Sequence, residues 1–261
     1  MNGRQREIIE ALRRKHSEDV FEPPPPPPTD GGWRSLLEAL SADDLALVVE
    51  PKRATARRGT INPDLDLEAL VRECEQAGAA AISIVTEPEL SGGAVADLVA
   101  ARRACQLPLL ARDFVVDVRQ VYELRAAGAD ALFVPVFPFV DSDDLPSGQQ
   151  LGDIAEAALR LNMELVLSVR TEEELECALE ADPDALNIDN RDDDGRIDVE
   201  RTFDLLAAVP VGKPVISESV ADGREVARLH RAGVDGLLLD EGHLDTGLAN
   251  ALAVFADLSL D

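Results

Sequence analysis

The sequence predicts an α/β fold, a (β/α)8 TIM barrel with an extra N-terminal helical extension, on three observations. Short apolar runs alternate with amphipathic segments eight times between Leu45 and Leu258. Each run has the length and composition of a strand buried on both faces. Helical segments end in Ala-Gly before the next run at Gly78, Gly128 and Gly233, where glycine suits a helix C-terminus. About 250 residues is typical of such a barrel, and the chain has 261. An open, doubly wound sheet is the alternative, but EPKRATARRG after the first run lacks the glycine-rich turn that fold uses.

In chain order, residues 4–19 read as a helix with Ile8, Ile9 and Leu12 on one face. Pro23–Pro28 is an unbroken proline run, neither helix nor sheet, and reads as a stiff spacer rather than a ligand for a proline-reading domain. Trp33–Leu40 is a second short helix. Residues 1–31 are thus expected to be a helix and spacer, and 32–261 the barrel. The predicted strands are Leu45–Val49, Ala80–Val85, Leu107–Ala111, Ala131–Val134, Glu164–Ser168, Ala185–Asp189, Pro214–Glu218 and Gly236–Leu239. The helices after them are Leu67–Ala77, Ala94–Cys105, Val118–Ala127, Gln149–Leu161, Glu172–Ala181, Val199–Ala208, Gly223–Ala232 and Gly247–Leu258.

Net charge is −26, and only Lys15, Lys52 and Lys213 are lysines. No extended basic surface exists to track phosphates, so nucleic acid is excluded as a partner, and anionic membranes are disfavoured. No run reaches the roughly 18 apolar residues of a membrane helix, and the N-terminus has no apolar signal core. Cys74, Cys105 and Cys177 are scattered without metal spacing, which suits reduced thiols and a cytoplasmic location.

In a barrel the chemistry sits on the loops after the strands. The strand ends carry Glu50 with Lys52, Thr86 with Glu87, Arg112 with Asp113, Pro135 with Phe137, Ser168, Asp189 with Arg191, Glu218 with Ser219, and Asp240 with Glu241. Buried acids and bases at strand ends suggest either a site or an ion-pair network closing the mouth of a core. His243, near Asp240 and Glu241, reads as a histidine paired with an acid rather than a metal ligand. Asp192–Gly195 lacks the later ligands of a calcium loop and reads as a solvated turn. Neither metal nor cofactor is expected.

Five segments in order carry a resemblance. EPKRATARRG resembles E-x-K-x-x-S-P-S-x-G, and AISIVTEPELSGG resembles the second-strand segment of the same family. ARDFVVDVRQVYELRAAGADA resembles its K-D-F-x-x-D segment, LNIDNRDDD its I-N-N-R-D-L, and VISESV its I-S-E-S-G. From about Trp33 onward the chain resembles indole-3-glycerol-phosphate synthase, a barrel enzyme of tryptophan biosynthesis with extra N-terminal helices. That enzyme closes an indole ring on an anthranilate-bearing ribulose phosphate, releasing carbon dioxide and water. The resemblance implies catalytic roles for Glu50, Lys52, Arg191, Glu218 and Ser219, with Arg112 at the general-acid position. It also implies substrate contacts from Phe114, Asp189, Asp240 and Glu241.

The departures are specific. The family's general-acid lysine is Arg112, which holds its proton at any working pH. Its strand-five glutamate is Ser168, its strand-six asparagine is Asp189, and an aromatic after strand two is Ser91. The serine and proline of its first loop are Thr55 and Ala56. Glycines of the phosphate cradle become Val220 and Asp240, while Glu241 is compatible with the family. At about 4 Å and an effective dielectric of about 20, a carboxylate beside a phosphate costs on the order of 4 kcal/mol per charge pair. Ordinary synthase activity is therefore expected to be reduced or lost. The alternative is a diverged barrel binding a cationic ligand at its acidic rim, or a protein partner through the N-terminal helix.

Overall fold

Side chains alternate along a strand, so each barrel strand presents every second residue to the interior. The lower interior layers are apolar: Ala46 and Val48, Ala81, Leu110, Ala131 and Phe133, Val166, Ala185, Ile216 and Leu238 pack in one buried cluster. Continuing the same parity toward the strand ends brings Glu50, Ser83, Arg112, Ser168, Asn187, Glu218 and Asp240. The interior thus changes from apolar to polar at the C-terminal mouth.

The computed structural model describes residues 3–16, 21, 32–41, 45–140, 147–192, 194–220 and 223–240, without the side chains of 16, 147–149 and 223. The elements in order are α1 (Gly3–His16), α2 (Leu36–Leu40), β1 (Ala46–Val49), β2 (Ala54–Thr55), β3 (Gly59–Thr60), α3 (Leu67–Gln76), β4 (Ala81–Val85), α4 (Pro88–Ser91), α5 (Val95–Ala104), β5 (Leu109–Arg112), α6 (Val118–Ala126), β6 (Ala131–Pro135), α7 (Phe137–Val140), α8 (Ser147–Arg160), β7 (Glu164–Val169), α9 (Glu172–Glu180), β8 (Ala185–Asp189), α10 (Glu200–Leu206), β9 (Val215–Glu218), α11 (Gly223–Ala232) and β10 (Gly236–Leu239). Eight strands close a parallel barrel in the order β1-β10-β9-β8-β7-β6-β5-β4, so the open-sheet alternative is excluded.

All eight predicted strands form. β1 and β4 start one residue late. At β5 and β9 the later start follows a proline, Pro108 and Pro214, because proline has no N–H for the ladder. The β2–β3 hairpin and the short helices α4 and α7 lie inside βα loops and were not predicted. The proline run, Asp141–Asp144 and the predicted helix Gly247–Leu258 lie outside the described residues.

Helix α2 plugs the bottom of the barrel with Leu36 and Leu40. Its N-terminus is capped twice. Ser35 accepts from Glu38 N at 3.0 Å, and buried Glu164 of β7 accepts from Ser35 Oγ and Leu36 N, both at 2.6 Å. Glu164→Ala is expected to cost about 1–3 kcal/mol, since it leaves buried donors unpaired. Urea unfolding reads this, and an unchanged midpoint would mean that water replaces the carboxylate.

Helix α1 crosses the opposite end. Ile9 is buried against Val116 and Phe137, with Leu12 and Phe114 alongside, and Arg13 donates to Pro138 O at 2.9 Å. Of the apolar face read from the sequence, Ile9 is covered by the chain's own loops, while Ile8 and Leu12 stay half-buried. Ile9→Ala is expected to cost about 2–4 kcal/mol of docking energy. Faster amide exchange across 114–116 and 137–140 would report the undocking, and unaltered exchange would show that α1 contributes little there.

Candidate active site

The polar layer is tied together by two carboxylates and two cations. Glu50 follows β1 and is fully buried. Lys52 Nζ lies 2.6 Å from its Oε1, Ser83 Oγ donates to Oε2 at 2.5 Å, and Arg112 Nη1 donates to both oxygens at 3.1 Å. The same Nη1 donates to Glu218 Oε1 at 2.9 Å, and the guanidinium carbon sits 4.4 Å above the Phe133 ring. Asn187 Nδ2 donates to Glu218 Oε2 at 3.0 Å and to Ser168 Oγ at 2.9 Å. One amide therefore links β7, β8 and β9, while its own Oδ1 has no partner among the described residues.

The two carboxylates are driven apart electrostatically. Burial opposes charge on Glu50, but Arg112 and then Lys52 hold its carboxyl below the usual range. Burial pushes Glu218 up to about 7, with Arg112 opposing and Asp189 and Glu50 adding to the rise. Burial disfavours the Arg112 charge, yet Glu218 and Glu50 outweigh it and raise its pKa further. Arg112 is thus a fixed charge, with no proton to give.

Next to this network lies a cavity of about 210 Å³, lined by Lys52, Arg112, Ser168 and Asp189 on its polar side and by Leu90, Phe114, Pro135 and Phe137 on its apolar side. Gln5 of α1 also lines it. Phe114 and Phe137 meet edge to face at 6.0 Å. Two acids in the wall are satisfied locally. Glu87 accepts from Glu89, Leu90 and Ser91 N–H at the start of α4. Asp113 accepts from Thr86 Oγ1 at 2.6 Å and Phe114 N at 2.7 Å, and burial raises its carboxyl to about 6. Glu50, Glu218, Arg191, Ser219 and Asp240 are not among the lining side chains.

Arg191 points its Nη2 at Asp240 Oδ2, 2.9 Å away, and its N–H donates to Asp189 Oδ1. Ser219 holds a positive φ of 63°, a conformation non-glycine residues rarely adopt. A buried set fixes it: Asn190 Nδ2 donates to Glu218 O and Ser217 Oγ, both at 2.9 Å, and Thr202 Oγ1 donates to Asn190 Oδ1. Val220 is buried. Glu241 and His243 lie outside the described residues.

Glu50, Lys52, Arg112 and Glu218 thus come together as one cluster, and Asp189, Arg191, Ser219 and Asp240 as an adjoining one. Of the two readings of the strand-end charges, the described acids follow the ion-pair network: Lys52, Arg112 and Arg191 sit among them, and Asp189 accepts an N–H. Among the described residues no group of three or more His, Cys, Asp or Glu could hold a metal, and no helix is long and apolar enough to cross a membrane. The cysteines are unpaired, and burial pushes the Cys74 thiol up to about 12. Sequence reasoning missed Ser83, Asn187, Asn190 and Arg170. Parity could have found the first two, since each is a polar residue in an apolar strand, in phase with Glu50 or Glu218.

A family model described as indole-3-glycerol phosphate synthase matches residues 3–247. An indole-3-glycerol phosphate synthase of Aromatoleum aromaticum is 34% identical over 207 residues, covering 78% of this chain and 76% of that one. One from Polaromonas sp. is 30% identical over 254 residues, covering 95% and 94%. Among solved structures, 3-hexulose-6-phosphate synthase from Salmonella typhimurium superposes with a TM-score of 0.63 at 16% identity, covering 83% of this chain and 99% of that one; this shows a shared fold. With the barrel, the first-strand glutamate and lysine and the strand-six arginine in place, the chain belongs to the indole-3-glycerol phosphate synthase family.

Proposed function

We propose that this chain keeps the ligand pocket of the synthase family but performs the ring-closing decarboxylation slowly or not at all. The observation that carries this reading is Arg112, at the family's lysine position, with one guanidinium nitrogen shared between Glu50 and Glu218. A lysine there could give and recover a proton; an arginine clamped by two carboxylates cannot. Ser168, in place of a glutamate, removes a second proton carrier. Asp240, in place of a cradle glycine, occupies Arg191 and adds negative charge where a phosphate would bind.

On this reading Glu50, Lys52, Glu218, Arg191 and Ser219 keep the positions of the family's catalytic groups, while Phe114 and Asp189 face the ligand. Asp240 replaces a phosphate contact, and Glu241 keeps a residue compatible with the family's. The chain is a cytoplasmic barrel of residues 32–261 acting on a small molecule, preceded by residues 1–31 as helix and spacer, of which α1 lies at the barrel mouth. The ion pairs favour this over a cation-binding rim. The burial of Ile9 in the chain's own barrel argues against α1 as a docking arm for another protein. The test is a steady-state fluorescence assay for indole glycerol phosphate from the carboxyphenylamino-deoxyribulose phosphate substrate. Turnover at least ~10²-fold below that of an intact relative is expected, and a rate equal to the relative's would refute the proposal.

A further inference from the structure

Asn187 of β8 is fully buried and joins the cavity wall to the carboxylate behind it. Both of its side-chain hydrogens are spent: Nδ2 donates to Ser168 Oγ at 2.9 Å and to Glu218 Oε2 at 3.0 Å. Its Oδ1 is buried with no partner among the described residues. Ser168 lines the cavity, whereas Asn187 and Glu218 do not. Glu218 Oε1 already accepts from Arg112 Nη1 at 2.9 Å, so a proton arriving on Glu218 goes to Oε2, the oxygen that faces Asn187. Donor would then meet donor. A primary amide resolves this by turning half a revolution in place, which exchanges its oxygen and nitrogen with little change of shape.

We infer that Asn187 is a specificity-determining positioning residue, whose amide couples the charge of Glu218 to the polarity of the hydrogen bond that Ser168 offers the cavity. With Glu218 charged, Asn187 donates to both neighbours, and Ser168, as an acceptor, keeps its own O–H for a ligand. With Glu218 neutral, Oδ1 turns inward and its two lone pairs take Glu218 Oε2–H and Ser168 Oγ–H. Ser168 then shows the ligand only lone pairs. The wall at the end of β7 thus takes a hydrogen-bond acceptor in one state and a donor in the other. The turn leaves one end of the amide unpaired in either state, so it adds no new unpaired group. The groups facing Glu218 set the switch in the neutral range: burial lifts its carboxyl to about 7 against Arg112, with Asp189 and Glu50 adding to the rise and Lys52 opposing it. Asp240, at the end of neighbouring β10, is held by Arg191. The inference rests on the reading of this cavity as the ligand pocket and does not depend on turnover.

The experiment is NMR of the full chain from about pH 5 to 9, following Glu218 Cδ, the Asn187 side-chain amide and Ser168 Cβ, repeated on Glu218→Gln and Asn187→Leu. In the native chain all three signals are expected to share one midpoint. The nuclear Overhauser contact from Asn187 Nδ2–H to Ser168 Cβ–H should be present above that midpoint and lost below it. Glu218→Gln should abolish the Ser168 titration. Asn187→Leu should abolish it too while Glu218 Cδ still titrates; if Asn187 were merely structural, Ser168 would still sense the Glu218 charge through space. An Asn187 contact unchanged through the Glu218 midpoint, a Ser168 signal that follows Glu218 in Asn187→Leu, or no Glu218 titration in this range would each overturn the switch. The first and third are read on the native chain, so the test survives a variant that does not fold. None of these signals needs turnover, so their failure is separable from failure of the slow-synthase reading.

Discussion

Arg112→Lys combined with Ser168→Glu is expected to raise synthase turnover by about 10²-fold or more over the native chain. Each change returns a side chain able to carry a proton, and one positioned proton transfer contributes about 10²–10⁴-fold. The pair should act together. Ser168→Glu alone places a third carboxylate beside Glu218 and Glu50, with Arg112 and Lys52 already committed to those two, and should destabilise the fold. Lysine at 112 keeps a cation between Glu50 and Glu218 while giving the site an ammonium that can lose its proton. The phosphate end should respond in KM. Asp240→Gly removes the partner of Arg191 Nη2 and one negative charge, so KM should fall about tenfold or more. Val220→Gly should add to this by opening backbone approach. The readout is kcat and KM for the native chain and each variant. A double variant no faster than native would show that the proton carriers are not what limits this barrel.

The repeat that builds the barrel was legible because it is periodic: eight apolar runs separated by helical segments leave little choice of fold. Which residues end on the rim was legible for the same reason, and Glu50, Arg112 and Glu218 do meet there. That they could pair was legible as one of two readings; which reading holds was not. Whether an acidic rim binds a cation or neutralises itself depends on distances of a few tenths of an ångström between residues over 60 and 100 positions apart. Asn187 carries a parity signal, but what it binds shows only once the register of three neighbouring strands is known. Arg170 was missed because only the structure places Phe137, from another loop, beneath it. The insertions α4 and α7 were missed because four-residue helices carry too few positions to show a period.

The native chain is expected to be more stable near pH 5 than near pH 7.5, the reverse of a protein whose carboxylates are all favourably paired. Glu218 is raised from 4.5 to about 7 by burial, with Asp189 and Glu50 adding to the rise. The folded state therefore binds a proton that the unfolded state has already released across this interval. Stability falls with pH wherever the native state holds more protons. The Glu218 contribution is thus fully present below about 4.5 and lost as pH rises through about 7, an effect on the order of 3 kcal/mol. Asp113, raised from 3.8 to about 6 by burial, acts with the same sign over a lower window. Glu50 acts oppositely. Its carboxyl is held below 4.5 by Arg112 and Lys52 against the cost of burial, so its contribution is present above about 4.5 and lost as pH falls through its folded value. These opposed slopes place the maximum at the acid end, at or below about 4.5, where Glu50's loss on the acid side meets the losses of Asp113 and Glu218 above it. Urea unfolding at pH 5.0, 6.0, 7.0 and 7.5 would trace the decline. Glu218→Gln keeps an amide oxygen for Arg112 and removes the titration, so its curve should be flatter across this range. A native chain as stable at pH 7.5 as at pH 5, or a Glu218→Gln curve parallel to the native one, would mean that Glu218 is charged throughout, paired with Arg112 as an ordinary ion pair.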